Sequence, residues 1–177
     1  MKRIPKPNPG EFAPYASMYI DLLPNDGRVL NHLKDNFETV KRFIYDLPGA
    51  KLLYRYVEGK WTIKEILVHI ADDERIYAYR ALRFARNDTT DLPGFEQDDY
   101  TKYAFANSRE LDNIFEEYEA VRNSTITLFN GLDDSVFENA GKADGNIMSV
   151  RAAAYHIAGH ELHHLNIIKE RYLSHGN

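Results

Sequence analysis

From Val29 onward apolar residues return every third or fourth position: Val29, Leu30, Leu33, Phe37, Val40, Ile44 and Leu47. This is the stripe of an amphipathic helix, with Asn25 or Asp26 as its N-cap and Pro48-Gly49-Ala50 as its end. A second stripe runs through Ile63, Ile66, Leu67, Ile70, Tyr77 and Ala81. Thr62 followed by Glu65 forms a capping box before it, so the spacing predicts a helix from Ile63 to about Arg86. A third stripe, Leu111, Ile114, Phe115, Tyr118, Val121, Thr125, Leu128 and Phe129, follows Asn107 or Ser108 as cap and stops near Gly131. Ser149 caps a fourth helix, Val150 to about Leu173.

The segments between are polar or broken. "KLLYRYVEGK" suits a strand or a loop, and "NDTTDLPGFEQDDYTKYAFAN" is too long for a tight connection, which makes it a candidate lid or site loop. "LDDSVFENAGKADGNIM" reads as a short helix and a small hairpin-like excursion. Residues 1–24 are a Pro-rich extended lead-in carrying Tyr15, Tyr19 and Ile20, side chains large enough to lie across a surface. Four long amphipathic helices with long connections predict an all-α four-helix bundle, a single domain over residues 1–177 whose sites come from facing helices.

Composition narrows the chemistry. Apolar residues make up 44% and charged ones 28% of the 177 residues, ordinary for a soluble globular chain. The formal charge of −5, with Lys and Arg scattered, argues against a nucleic-acid partner, which needs a basic stripe. No run reaches the roughly eighteen apolar residues of a membrane span, and the start lacks the apolar core of a signal peptide. A cytoplasmic protein with no membrane partner is expected. With no cysteine, thiolate sites and disulfides are excluded, and His and carboxylate must do any metal chemistry.

That chemistry concentrates in the fourth helix, whose inward stripe is Ala153, Ile157, His160, His164 and Ile168. Two imidazoles at i and i+4 on a buried face suit a divalent cation. Residues 160–164 also spell H-E-x-x-H, the zinc-protease motif, in which Glu161 would act as general base. A zincin needs a third ligand, yet Ile167 and Glu170 stand where the extended motif has Gly and His, and His175 is poorly placed in the tail. A di-iron bundle needs a second E-x-x-H, which no other helix carries. Upstream, the only histidines are His32, expected at the surface, and His69, beside the apolar stripe of the second helix. Ala152, Ala153, Ala154, Ala158 and Gly159 are small enough to let a neighbouring helix approach and bring a third ligand within reach.

The segments "WTIKEILVHIADDERIYAYRALRFARND", "LPGFEQDDY" and "VRAAAYHIAGHELHHLNIIKERY" together resemble the DinB-like superfamily, which includes YfiT-type metal-dependent hydrolases. The resemblance covers most of the chain. It implies a four-helix bundle with a metal held by one histidine of the second helix and two of the last, which here are His69, His160 and His164. It does not require a carboxylate between the last two, so Glu161 rests on the zincin motif alone, and it stands about 100° round the helix from His160. Asp73 is a second candidate, either orienting His69 or a bound water or simply solvated. Glu74 is expected to be buried and paired to a ligand histidine or an arginine, His156 to be a core histidine beside the ligands, and His163 to face the surface.

Three histidines from two helices leave coordination positions open, as in catalytic sites. The expected function is a metal-dependent enzyme that activates water or a thiol. The resemblance extends to transferases and isomerases that use mycothiol, bacillithiol or glutathione, so a low-molecular-weight thiol joins a small-molecule substrate as an expected partner. Zinc, nickel and iron all suit a histidine-only site. The alternative is a non-catalytic metal or small-molecule binding bundle. An open site beneath a roof formed by Pro93 to Tyr103 would favour the enzyme. An amphipathic bundle with exposed aromatic residues also suits a homodimer.

Overall fold

A computed structural model describes residues 1–173. The chain opens with a 3-10 turn at Pro14–Ala16 and a four-residue helix α1 (Ser17–Ile20), then enters α2 (Val29–Tyr45) and α3 (Ile63–Ala85). A short helix α4 (Gln97–Tyr103) lies in the connection to α5 (Leu111–Gly131). A hairpin of β1 (Ala140–Ala143) and β2 (Asn146–Ser149) then leads into α6 (Val150–Ile167). The two strands are antiparallel, with Ala140 opposite Ser149 and Ala143 opposite Asn146.

The long helices α2, α3, α5 and α6 make the predicted four-helix bundle. α3 packs on α5 and α6, and α2 packs on the same two. α2 and α3, consecutive in sequence, therefore occupy opposite corners, a placement that only a long connection through residues 46–62 allows. It also sets the centres of α3 and α6 face to face.

Two of the predicted caps form as expected. The hydroxyl of Thr62 accepts from the Glu65 N–H (3.1 Å) while the Glu65 carboxylate accepts from the Thr62 N–H (2.6 Å), and Ser149 Oγ accepts from Ala152 N–H (3.1 Å). The other two differ. Asp26 accepts from the Arg28 N–H (2.8 Å) and pairs with His32, while Arg28 occupies the N-cap position of α2 without a side-chain cap. Asn107 and Ser108 lie in a 3-10 turn, and α5 starts only at Leu111, after Glu110. Asn107 instead supports α3: its amide donates to Glu65 (2.8 Å) and its carbonyl accepts from the Thr62 hydroxyl (2.6 Å). A side chain that satisfies a neighbouring helix terminus is lost to its own. α6 is also shorter than its pattern, giving way to a π-helical turn at Ile168–Tyr172.

The lead-in is pinned along α6. Ile4, Ala16 and Ile20 are buried, the Tyr155 hydroxyl donates to the Ile4 carbonyl (3.0 Å), and Glu11 accepts from Arg151 Nε (2.7 Å) and Ser149 Oγ (2.8 Å). The small residues of α6 make room for this lead-in: a Cβ on Gly159 would stand 2.1 Å from the Tyr19 carbonyl oxygen. At Gly159 the neighbour that the missing side chain admits is α1, while α6 also packs closely on α3, the helix carrying His69. Gly141 does the same for the hairpin, where a Cβ would stand 2.1 Å from the Phe84 ring.

Along the helices the core divides into two apolar clusters. One holds Leu30 and Leu33 of α2, Tyr77 to Ala85 of α3, Phe129 of α5 and the first half of α6. The other holds Phe37 to Ile44, Ile63 to Ala71, Ile114 to Tyr118, and Leu165 to Tyr172. Between them every buried charged or imidazole group of the bundle's midsection is gathered: His69, Asp73, Glu74, Arg122, His156, His160 and Glu161. Burying so many polar groups is tolerable only where they serve one another.

Candidate metal centre

Within this band His69 of α3 meets His160 and His164 of α6. The His69 and His160 Nε2 atoms are 3.1 Å apart, and so are those of His160 and His164. His69 and His160 are buried, and the half-buried His164 borders a cavity. One ring nitrogen from each of the three lies within 4.8 Å of the other two. The i, i+4 spacing on α6 puts two rings on one face, and the packing of α3 against α6 supplies the third.

Burial holds all three imidazoles below the ordinary histidine pKa. For His69 the carboxylates of Asp73 and Asp98 oppose that effect; for His160 and His164 the neighbouring histidines add to it, and both fall well below the ordinary value. The rings are therefore neutral near pH 7, with one lone-pair nitrogen each. Hydrogen bonds among themselves cannot satisfy this cluster, because His160 Nε2 can donate once or accept once, yet two other Nε2 atoms contact it. A single cation facing all three nitrogens satisfies every lone pair at once, so the donor set fits a divalent metal.

Asp73 stands behind this group. Its Oδ2 is 3.3 Å from His160 Nδ1 and 3.3 Å from His156 Nε2. A carboxylate beside Nδ1 favours the tautomer with the proton there, leaving Nε2 free to ligate. His156 is not one of the three converging ligands: its Nε2 lies 3.3 Å from Asp73 Oδ2 and its ring stacks on Tyr77 at 3.7 Å.

The two glutamates go elsewhere. Glu74 spends both oxygens on Arg122, accepting from Nε (3.0 and 3.1 Å) and Nη2 (2.8 Å), so the arginine of a neighbouring helix is its partner and not a ligand histidine. Glu161 pairs with Arg122 Nη1 (3.0 Å) and accepts from the Tyr118 hydroxyl. Burial pushes the Glu161 carboxyl up, against Arg122 and Tyr118, which pull it down. The middle letter of the H-E-x-x-H string is thus tied into an ion pair with α5. Of the remaining histidines, His32 pairs with Asp26 (3.0 Å), His163 is half-buried with its ring edge-on to Tyr19, and His175 lies outside the described residues.

Access runs along one side of the cluster. A cavity of about 260 Å³ is lined by His164, Trp61, Tyr56, Lys60, Asp98 and Tyr172, among others. Trp61 roofs it, its ring 4.7 Å from that of His69, its indole N–H donating to Asp98 (3.1 Å), and its carbonyl accepting from Tyr172 (2.6 Å). Of the expected roof from Pro93 to Tyr103 only Asp98 borders this cavity; Pro93, Gly94, Phe95 and Tyr100 border another. The roof comes instead from residues 56–61, immediately before α3. Asp98 and Tyr19, which sets its ring edge against both His156 and His160, carry no spacing that links them to the histidines. Only the packing of α4 and α1 reveals them.

The chain matches the sequence profile of the DinB superfamily over residues 32–168. It is similar to a protein of Oceanobacillus iheyensis provisionally named a metal-dependent hydrolase, with 28% identity over 131 residues, 71% of this chain and 73% of the relative. Among solved structures it resembles YfiT from Bacillus subtilis, described as a probable metal-dependent hydrolase with an unusual four-helix bundle topology. That likeness has a TM-score of 0.72 at 16% identity and covers 82% of this chain and 85% of the other, which establishes a common fold. No helix among the described residues is long and apolar enough to cross a membrane.

Proposed function

Because this chain belongs to the DinB superfamily, we propose that it is a metal-dependent hydrolase whose divalent ion is held by Nε2 of His69, His160 and His164. The observation that carries this is the convergence of three neutral imidazoles on one point beside a cavity, in an arrangement no internal hydrogen bonding can satisfy. Such an ion, when bound, supplies a lowered pKa for a water or for a low-molecular-weight thiol, giving a nucleophile near neutral pH.

The protein's part is position and environment. The Asp73 carboxylate, 3.3 Å from His160 Nδ1, favours the tautomer with the proton on that nitrogen, which leaves the Nε2 lone pair for the ion. Trp61 covers the His69 side and keeps bulk water from the cluster. The cavity admits a small molecule, and its lining carries one cation, Lys60, and one carboxylate, Asp98. Asp98 is held by the Trp61 indole and is the group available to take a proton from a nucleophile bound there. Zinc, nickel and iron all suit the donor set.

The test is a titration of zinc, nickel and ferrous ion into metal-free protein, following thermal stability together with turnover of ester, amide and thiol substrates. Metal should raise the melting temperature, and turnover should appear with the ion. His69→Ala and His164→Ala should each lose bound metal, and retention of metal by either variant would show that the ligand set is wrong.

A further inference from the structure

The second cavity, away from the histidines, has a volume of about 300 Å³ and is lined by Ile76, Tyr79 and Arg80 of α3 and by Leu92, Phe95 and Tyr100 of the connection, among others. Arg80 is the unusual member. It is 6% exposed, and buried arginines are ordinarily paired with carboxylates. Among the described residues no carboxylate lies within ion-pair distance of it. Its one protein hydrogen bond is Nη2 to the Pro93 carbonyl (3.2 Å), and its charge rests over the rings of Tyr77 (4.8 Å) and Phe95 (5.9 Å).

A guanidinium has five N–H donors. The donors of Arg80 that find no protein acceptor keep some access, since none counts among the fully buried unpartnered atoms. The cavity that Arg80 lines is where that access leads. The other arginine at its edge, Arg75, is already neutralised by Asp72 (3.3 Å) and Glu117 (2.6 Å). Among the side chains that line the cavity, Arg80 is thus the charged group without an ion-pair partner, set among aromatic and aliphatic walls.

We propose that this cavity binds a small monocarboxylate with an aromatic or aliphatic body, its carboxylate on the Arg80 fork and its body against Tyr79, Phe95 and Tyr100. A planar carboxylate matches the guanidinium fork bidentately, better than a rounder anion. A monoanion matches the one guanidinium of the lining that has no ion-pair partner. The volume falls at the lower end of small-molecule sites, which suits a ligand of one ring and a short acid arm. The site is separate from the histidine cluster: Arg80 is about 16 Å beyond His69 along α3 at the rise of a helix. It does not depend on whether a metal is bound.

Phenylacetate and its uncharged isostere phenylacetamide test this directly. Titrated into the protein as purified, and followed by calorimetry and by NMR of the aromatic side chains, phenylacetate should bind saturably and shift the signals of Tyr79, Phe95 and Tyr100. Phenylacetamide should bind about tenfold or more weakly, as should phenylacetate to Arg80→Gln, the loss expected when charge-assisted hydrogen bonds are removed. Tyr100 is half exposed, so Tyr100→Ala should keep the fold and still weaken binding. The amide comparison and Tyr100→Ala decide the matter even if Arg80→Gln does not fold. Equal binding of acid and amide, shifts confined to His69, His160 and His164, or a non-saturating titration would each overturn the proposal.

Discussion

Replacing Glu161 separates a catalytic glutamate from a structural one. In this fold Arg122 serves two carboxylates, and Glu74 takes most of it, with three contacts of 2.8 to 3.1 Å against one of 3.0 Å for Glu161. Burial pushes the Glu161 carboxyl up, Arg122 and Tyr118 pull it down, and the neighbouring Glu74 adds to the rise, because the cluster holds one negative charge more than its arginine offsets. Glu161→Gln removes the excess charge and keeps an oxygen for Tyr118 or Arg122, so it should cost about 1 kcal/mol or less, the worth of one exchanged hydrogen bond. Glu161→Ala leaves the O–H donor of Tyr118, which still accepts from Arg122 Nη2, and an Arg122 N–H without their carboxylate acceptor, at about 1–3 kcal/mol each. Adding a cavity, it should lose about 3–5 kcal/mol, a large part of the roughly 5–15 kcal/mol that holds a domain together. Urea unfolding of the metal-free proteins measures both, and metal content by mass spectrometry should stay at the wild-type ratio in Glu161→Gln. If Glu161→Gln were as unstable as Glu161→Ala, or lost its metal while folded, Glu161 would be more than the partner of Arg122.

Further outcomes follow from the same geometry. His69, His160 and His164 are held below the ordinary value of 6.5, mainly by burial, so the unfolded chain binds protons that the folded chain does not as pH falls below about 6.5. Metal-free protein should therefore be most stable above that pH and lose stability progressively below it, as read from urea midpoints between pH 8 and 5. The Glu11 carboxyl is raised by burial but lowered further by Arg151, the Asn8 N–H and Ser149, to about 2. Its contribution is present above the unfolded carboxylate range and is lost as pH falls toward about 2, and Glu11→Gln should remove that dependence. Because Glu11 is partly solvated the effect should be below about 1 kcal/mol, visible as a small drop in melting temperature and faster amide exchange in the lead-in. Gly159→Ala should destabilise by about 1–3 kcal/mol, since a Cβ 2.1 Å from the Tyr19 carbonyl forces α1 off α6. Limited proteolysis should then cut near residues 14–23 before anywhere else.

Features that depend on neighbours along the chain are legible without coordinates. The four stripes place four amphipathic helices, the Thr62–Glu65 box marks the start of α3, and the i, i+4 spacing of His160 and His164 puts two imidazoles on one face, because helical periodicity is a local property. The absence of cysteine narrows the ligands in the same direct way. The third histidine, by contrast, was legible only by elimination and by resemblance to a family, since nothing local relates His69 to a helix more than eighty residues on.

Which partner each polar side chain meets depends on how the helices pack. Asn107 has the local look of a cap and serves another helix, Glu161 sits inside a metalloprotease motif and answers to Arg122, and Gly159 of α6 makes room for the backbone of α1. Asp98 and Arg80 acquire their surroundings only when the connection after α3 folds back over that helix. The physical reason is common to all of them. Desolvating a polar group costs free energy unless a partner is found, and in a bundle the partner comes from whichever helix packs opposite, a fact of packing that sequence spacing does not encode.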